Sequence, residues 1–419
     1  RRLRWPALWL ALLAVAAASS LTYLHIVDAR YMPSSHSDLL PRWVGARAAL
    51  HGEDPYSAEV LRRIQIAYYG RPLTAADHAN PQAFFYPATI IVLLAPLAEL
   101  SWPAARLVFL LVTCPLLAWS FWLCLRTLQL PASRRGRAVV LGFALFSWAV
   151  IWGLRQQQPG LLVVIAVFLA FFLLARRRQV LPGILLALAT IKPQLVLPLL
   201  LWLLVWAVLR RMWPFVASFA GAFALLLAAT EWIVPGWFLQ WRAQMRTYAA
   251  ITHTAMPLEW SLGHWPGIVI TLLIAAASAL ALWRLRRSEP DSPQFALAVS
   301  LALATTATLI LGDPSLIYND ILLFPACLLL IFRKTEGQLA GSIRMLALVQ
   351  LAWDYVALPL AIAGESYGRS SGFWISLPFR DYFLPTLATL VVLMAAARSA
   401  GPMLPLLKTH PAGEAAHGS

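Results

Sequence analysis

The sequence predicts an all-α, polytopic integral membrane bundle with about ten to twelve transmembrane helices. Three observations predict it. Of 419 residues, 60% are hydrophobic and only 12% are charged, whereas a soluble domain carries about 25% charged residues. Apolar stretches recur from end to end, and about 20 apolar residues suffice to cross the hydrocarbon. No alternating ten-residue strands are visible, so the crossings are helices, which satisfy their own backbone hydrogen bonds in lipid.

The first apolar segment covers residues 5–27. Arg1 to Ser20 has the form of a signal peptide, with Ala16-Ala17-Ala18 at a cleavage position, but in so apolar a chain an uncleaved first span is expected. A polar segment follows, and it predicts two amphipathic helices at the membrane surface. One begins near Asp38, has Pro41 in its first turn, and aligns Leu39, Trp43, Ala46 and Leu50 before Gly52 ends it. The other starts after Ser57 as N-cap, aligns Val60, Ile64 and Ala67, and ends at Gly70. Further spans are expected over residues 87–100, 104–125, 138–152, 161–175, 213–234, 267–283, 295–311, 317–332, 343–363 and 382–397. Residues 181–209 read as two half-helices that meet at Lys192-Pro193, with arginines flanking both ends. The expected organisation is one transmembrane domain over residues 1–400, with loops at 28–86 and 235–265, then a disordered cytoplasmic tail over 401–419. Cys114, Cys124 and Cys327 lie in apolar stretches and read as packing residues.

The net charge of +15 reads as topology rather than nucleic-acid binding, because basic residues collect on cytoplasmic loops. Arg134, Arg135 and Arg137 form one such cluster, and Arg176 to Arg178, Arg210 with Arg211, and Arg284 with Arg286 and Arg287 form others. Arg333, Lys334 and Arg344 form a further one. Residues 28–85 instead balance six Arg against six acids, which marks the non-cytoplasmic side. One conflict follows. If the segments before and after Ser101-Trp102-Pro103 both cross, the arginines at 134–137 fall outside, so one of the two must be short or re-entrant.

Four polar places fall on the non-cytoplasmic face, where ionisable groups next to lipid are candidate functional sites. His36-Ser37-Asp38 supplies a carboxylate that either caps a helix or acts as a general base, and the roles are compatible. Arg155-Gln156-Gln157-Gln158-Pro159-Gly160 is a polar turn that either binds sugar hydroxyls or is a solvated hairpin. Lys192-Pro193-Gln194 sits in an apolar run, where the lysine either meets a phosphate or snorkels to the interface. Asp313-Pro314-Ser315 with Tyr318-Asn319-Asp320 is either a site or a cap with an interfacial tyrosine. The chain has no Asp-x-Asp pair, no P-loop, no Gly-x-Gly-x-x-Gly and no zinc-spaced histidines. No metal and no cofactor are therefore expected.

Taken in order, these motifs resemble glycosyltransferase family 87, the polyprenol-phosphate-sugar-dependent membrane enzymes of the GT-C superfamily that include bacterial mannosyltransferases. Ser37-Asp38-Leu39 and the run from Ala46 to Tyr56, ending Gly52-Glu53-Asp54-Pro55-Tyr56, are similar to the family's Asp motif and its continuation. Phe85-Tyr86-Pro87 resembles a Tyr-Pro-Pro segment, with Ala88 replacing the second Pro. Gln158 matches a Gly-Gln turn in which Gln157 replaces Gly, and Ile191-Lys192-Pro193-Gln194 matches a Lys-Pro motif. Pro314 and Tyr318 to Asp320 resemble a later Ser-Pro…Tyr-Asp motif.

The resemblance implies a GT-C bundle in a bacterial plasma membrane, with its site on the periplasmic side. It implies metal-independent, inverting transfer of a hexose such as mannose from a polyprenyl-phosphate donor to a lipid or glycan acceptor. Asp38 would be the base. Lys192, with Arg42 or Arg155 and His253, would meet the phosphate, and Gln158, Tyr86, Tyr318 and Asp320 would complete the substrate site. Other readings are a transporter or flippase for a lipid-linked sugar, or a non-catalytic assembly subunit. A transporter predicts charges at mid-membrane, whereas the polar groups here gather at one face.

Overall fold

In the computed structural model the described residues are 37–332, except 75, 78–80, 131–132, 253–256 and 311–313, together with isolated positions between 14 and 25 and residue 345. The spans expected at 5–27, 343–363 and 382–397, the basic cluster from Arg333 to Arg344, and the tail at 401–419 lie outside them. Among the described residues every regular element is helical. The chain is an all-α membrane protein. Three described helices are long and apolar enough to cross a bilayer, and a bent pair makes a fourth. The remaining apolar helices are shorter, for a reason visible in their connections.

Helix α1 is Leu39–Leu50 and α2 is Ala58–Tyr69. Ser57 caps α2 by accepting from the Val60 N–H, and Gly70 ends it at a φ of 76°. The buried stripe of α2 is Val60, Ile64 and Tyr68, while Ala67 is exposed. The i, i+4, i+8 row thus faces the core in place of the expected row through Ala67. Helix α1 departs further from expectation. Only Arg47 is exposed, so α1 is an interior helix rather than an amphipathic surface one. Its small residues allow this. A Cβ on Gly45 would stand 2.3 Å from the Phe84 ring, so only glycine lets that ring lie on the helix.

Helix α3 is Ile90–Ala98 and α4 is Trp102–Leu128. With nine residues α3 rises only about 14 Å, too little to cross. Its end stays beside α1, where the Trp43 Nε1–H donates to Leu97 O at 3.0 Å. Trp43 also packs on Trp102 at 5.4 Å between ring centroids. The short segment of the expected pair is therefore α3. Only α4 crosses, which returns the arginines at 134–137 to the opposite end of the bundle. Exposed Leu107, Leu111 and Trp119 mark the outer face of α4, as lipid contact requires. Cys114 lies on that face and is exposed, so it is not a packing residue; Cys124 and Cys327 are buried.

The chain returns through α5 (Arg134–Leu145) and α6 (Trp148–Arg155), which bend by 53° where they join. After the turn at 156–159, α7 (Gly160–Ala175) runs back to Arg176. Helix α8 is Val180–Ala189, a 3-10 turn covers Pro193–Leu195, and α9 is Leu197–Leu209. The chain reverses direction between the two half-helices. Arg177 and Arg210 flank the pair, and both reach Glu289, at 3.6 and 2.5 Å. Both flanks are thus at one end, with Lys192 at the apex between them. This satisfies the charge rule at both flanks, which one crossing could not do.

Helix α10 (Trp213–Ile233) crosses, and the second loop forms α11 (Trp237–Thr252) and α12 (Pro257–Leu262). Then α13 (His264–Arg284) crosses back and α14 (Pro293–Ile310) returns. A 3-10 helix (Pro314–Leu323) leads into α15 (Phe324–Phe332). Aromatic rings fill the centre. Phe121 meets Phe168 and Phe324 edge-on, and Phe295 packs on Trp206 at 4.8 Å. By rise, α7 reaches about 24 Å and α10 about 32 Å.

Helix α8 approaches α10 closely at Gly183. A Cβ there would stand 2.2 Å from Ser218 Oγ and 2.6 Å from Phe215 O of α10. Small residues permit such contacts in membranes. Gly183→Val should therefore separate α8 from α10 and cost about 1–3 kcal/mol, read as a lower thermal unfolding midpoint in detergent.

Candidate active site

Five strands of sequence meet at one end of the bundle. They are the start of α1, the 84–86 segment, the turn at 156–159, the Lys192 apex, and the 3-10 helix at 314–323. The first and third are tied directly. The Asp38 N–H donates to Gln156 O at 2.9 Å. Ser37 Oγ is 3.1 Å from that carbonyl and 2.7 Å from Gln157 Oε1, and it accepts from the Leu39 N–H at 3.1 Å. Ser37 thus occupies the capping position, and the Asp38 side chain caps nothing. Its carboxylate is free of the structural role that its place before a helix suggests.

That carboxylate faces the turn. Gln158 Nε2 donates to Asp38 Oδ2 at 2.5 Å, and Gln158 Oε1 accepts from the Tyr86 hydroxyl at 2.5 Å. No described residue hydrogen-bonds Oδ1. The turn has a left-handed residue at Gln157, whose φ is 50°. Glycine adopts this region without steric cost. A non-glycine residue in this region costs about 1–3 kcal/mol, and the hydrogen bond from Ser37 offsets part of that cost here.

Tyr86 is held from two sides. The Tyr56 hydroxyl donates to Tyr86 O at 2.9 Å, and the Tyr56 ring meets Phe84 edge-on. Tyr56 itself is turned inward by an Asp54 carboxylate that accepts its N–H. That turn gives the Asp54-Pro55-Tyr56 motif its physical meaning. From the other side, α11 covers the segment, with the Trp241 Nε1–H donating to Phe85 O at 3.1 Å and Tyr248 packed on Phe85. Burial pushes the Tyr86 hydroxyl above its ordinary value, so it stays a donor.

Two cations complete the cluster. Arg42 lies 4.6 Å over the Tyr86 ring and donates to Asp38 O at 2.8 Å. Its Nε is buried with no hydrogen-bond partner among the described residues. Lys192 is 5% exposed. Its ammonium sits 4.8 Å from the Tyr318 ring centroid and 5.9 Å from that of Tyr86, and donates to Asn319 Oδ1 at 3.3 Å. Neither cation has an acidic partner within 4.0 Å among the described residues. A buried ammonium held only by rings and an amide retains its attraction for an anion. Gly160 lies beside it, and a Cβ there would meet Lys192 Nζ at an ordinary contact distance of 3.4 Å.

Asp38, Arg42, Tyr86, Gln158, Lys192 and Tyr318 therefore converge. Arg155 ends α6 beside them. Burial pushes the Tyr68 hydroxyl up, Asp38 and Tyr69 push it the same way, and Arg42 and Arg155 oppose them. Asp320 follows Asn319 in the 3-10 helix and is half-buried. His253, His36 and Asp313 lie outside the described residues. Sequence reasoning placed Ser37 and Asn319 in its polar segments without giving them a role, and it missed Tyr68. The α2 periodicity marks Tyr68 and adjacency marks the other two, but their contacts are between segments far apart in the chain. Among the described residues no group of three His, Cys, Asp or Glu is placed to hold a metal.

A helical membrane protein that keeps one carboxylate and two buried cations together at one end of its bundle has the equipment of a membrane-embedded transferase. The family model described as Glycosyltransferase family 87 matches residues 84–312, more than half of the 419-residue chain. The chain belongs to that family and is a glycosyltransferase. The match includes Tyr86, Arg155, Gln158 and Lys192, while Asp38, Arg42 and Tyr318 lie beyond its ends. No curated protein matches the chain, and no solved structure does.

Ser37→Ala removes the hydroxyl that serves three partners. Its loss should destabilise the protein by about 1–3 kcal/mol and lower turnover together with the thermal midpoint, because Asp38 is the next residue.

Proposed function

We propose that the protein transfers a hexose, mannose in the first instance, from a polyprenyl-phosphate donor to a lipid or glycan acceptor at the periplasmic face of a bacterial plasma membrane. The observation that carries this reading is the pairing of a carboxylate free of capping duty with two cations that have no acidic partner within 4.0 Å among the described residues. Asp38 takes the proton of the acceptor hydroxyl as that oxygen bonds to the anomeric carbon. The carbon–oxygen bond to phosphate breaks on the opposite face, and its electron pair leaves with the phosphate. One displacement inverts the anomeric centre and needs one carboxylate, unlike glycoside hydrolysis, which uses two. Charge grows on the departing phosphate, and preplaced cations stabilise it where water is scarce. Lys192 and Arg42 fill that role, and Tyr86 and Tyr318 hold Lys192 between them.

Asp38→Asn should leave the fold intact and lower turnover roughly 10²–10⁴-fold. Polyprenyl-phosphate release from polyprenyl-phosphate mannose by purified protein in nanodiscs measures this. Near-normal release by the variant, or donor movement across the bilayer without release by the native protein, would overturn the reading. Sidedness has its own test. Glu53→Cys in a chain without native cysteines should react with a membrane-impermeant maleimide from the periplasmic side only.

A further inference from the structure

The Gln158 amide stands between groups that fix its direction. Its Nε2 is 2.5 Å from Asp38 Oδ2. Its Oε1 is 2.5 Å from the Tyr86 hydroxyl and 3.5 Å from the Gly160 N–H. An amide turned over has the same shape, so its partners must decide the orientation. A carboxylate only accepts, and a backbone N–H only donates. Nitrogen toward Asp38 and oxygen toward Gly160 satisfies both. The turned amide would set oxygen against carboxylate and N–H against N–H. Tyr86 must then donate to Oε1, and its backbone is itself held by Tyr56. The hydrogen bonds run one way, from Tyr86 through Gln158 to Asp38.

We infer that Gln158 is a positioning residue that holds Asp38 Oδ2 through an amide whose direction Tyr86 and Gly160 set, leaving Oδ1 as the oxygen that receives the acceptor's proton. This rests on the reading of Asp38 as the base. As the acceptor oxygen bonds to the anomeric carbon, its proton passes to Oδ1, and the phosphate departs with the electron pair of the broken bond. Oδ2 keeps its bond from Gln158 throughout. An N–H donated to Oδ2 lowers the basicity of that oxygen and favours protonation at Oδ1. Gln158 is 1% exposed, and its oxygen already has two donors, so its capacity to bind a sugar hydroxyl is small. The role differs from the sugar contact that its polar turn suggests. Around Asp38, the charge of the carboxylate reaches Tyr68 on α2, Tyr86, Lys192 and Tyr318, while Arg42 on its own helix binds the Asp38 carbonyl and Arg155 lies beyond Tyr68.

Gln158→Met keeps the volume and removes the amide's three hydrogen bonds. In full-length protein in nanodiscs, with polyprenyl-phosphate mannose as probe, kcat should fall roughly 10²-fold, the scale set by lost orientation. The donor KM should stay within about threefold, as expected when an interaction acts only in the transition state. The acid limb of the pH–rate profile should move to higher pH, since a donor to the charged carboxylate is lost. Gln158→Glu, which sets two carboxylates together, should move that limb further. Tyr86→Phe should give a smaller kcat loss in the same direction. A raised KM with kcat and profile unchanged would overturn the inference in favour of sugar binding. If Gln158→Met fails to fold, Tyr86→Phe decides, and a native kcat and profile there would also overturn it. An active Asp38→Asn variant would sink the base reading itself. An inactive Asp38→Asn beside a native-like Gln158→Met would sink this inference alone.

Discussion

The site depends on one join between distant parts of the chain, the seam where Ser37 and Asp38 lie against the turn at 156–158. Backbone and side chain both contribute, through the Asp38 N–H on Gln156 O and the Ser37 hydroxyl shared between Gln156 O and Gln157 Oε1. A buried polar group left unmade costs about 1–3 kcal/mol, so this seam has few alternatives. Because Ser37 takes the capping place, the carboxylate next to it can face Gln158. A serine at the helix start is the physical reason that the aspartate is available for chemistry.

Charge balance follows from the same geometry. Arg42 and Lys192 are both buried and both lack acidic partners among the described residues, a costly arrangement in a low-dielectric setting. Aromatic faces offset part of the cost. Tyr86 is the shared element, lying under Arg42, near Lys192, and hydrogen-bonded to Gln158. One side chain therefore links the cations to the carboxylate. The contacts of Tyr56 and α11 around residues 84–86 can be understood as the support that keeps Tyr86 in place.

The membrane path is arranged so that polar segments reach this end without crossing. Helix α3 is too short to span, and the α8–α9 pair turns back at Lys192. Both irregularities put non-helical backbone at depth, which is tolerated only where protein surrounds it. Here α7, α10 and α14 do so. The acidic corner at Glu289 and Asp291, which binds Arg177 and Arg210, anchors the other end of the folded-back pair.

Much of this was legible in the sequence. Composition required a helical membrane protein, and motif order pointed to family 87, to which the chain belongs. The α2 caps and the break at Lys192 follow from local chemistry, as do the spans that became α4, α10 and α13. A charge conflict even located the short segment near Ser101. Other features were not local. The interior position of α1 depends on the Phe84 ring pressing on Gly45. The buried stripe through Tyr68, the exposed Cys114, and the shared end of Arg177 and Arg210 depend on which neighbours pack where. The direction of the Gln158 amide depends on partners from three segments. A sequence pattern records what each stretch prefers by itself, while hydrogen-bond direction and the partners of a buried charge are settled only when segments more than a hundred residues apart come within about 3 Å.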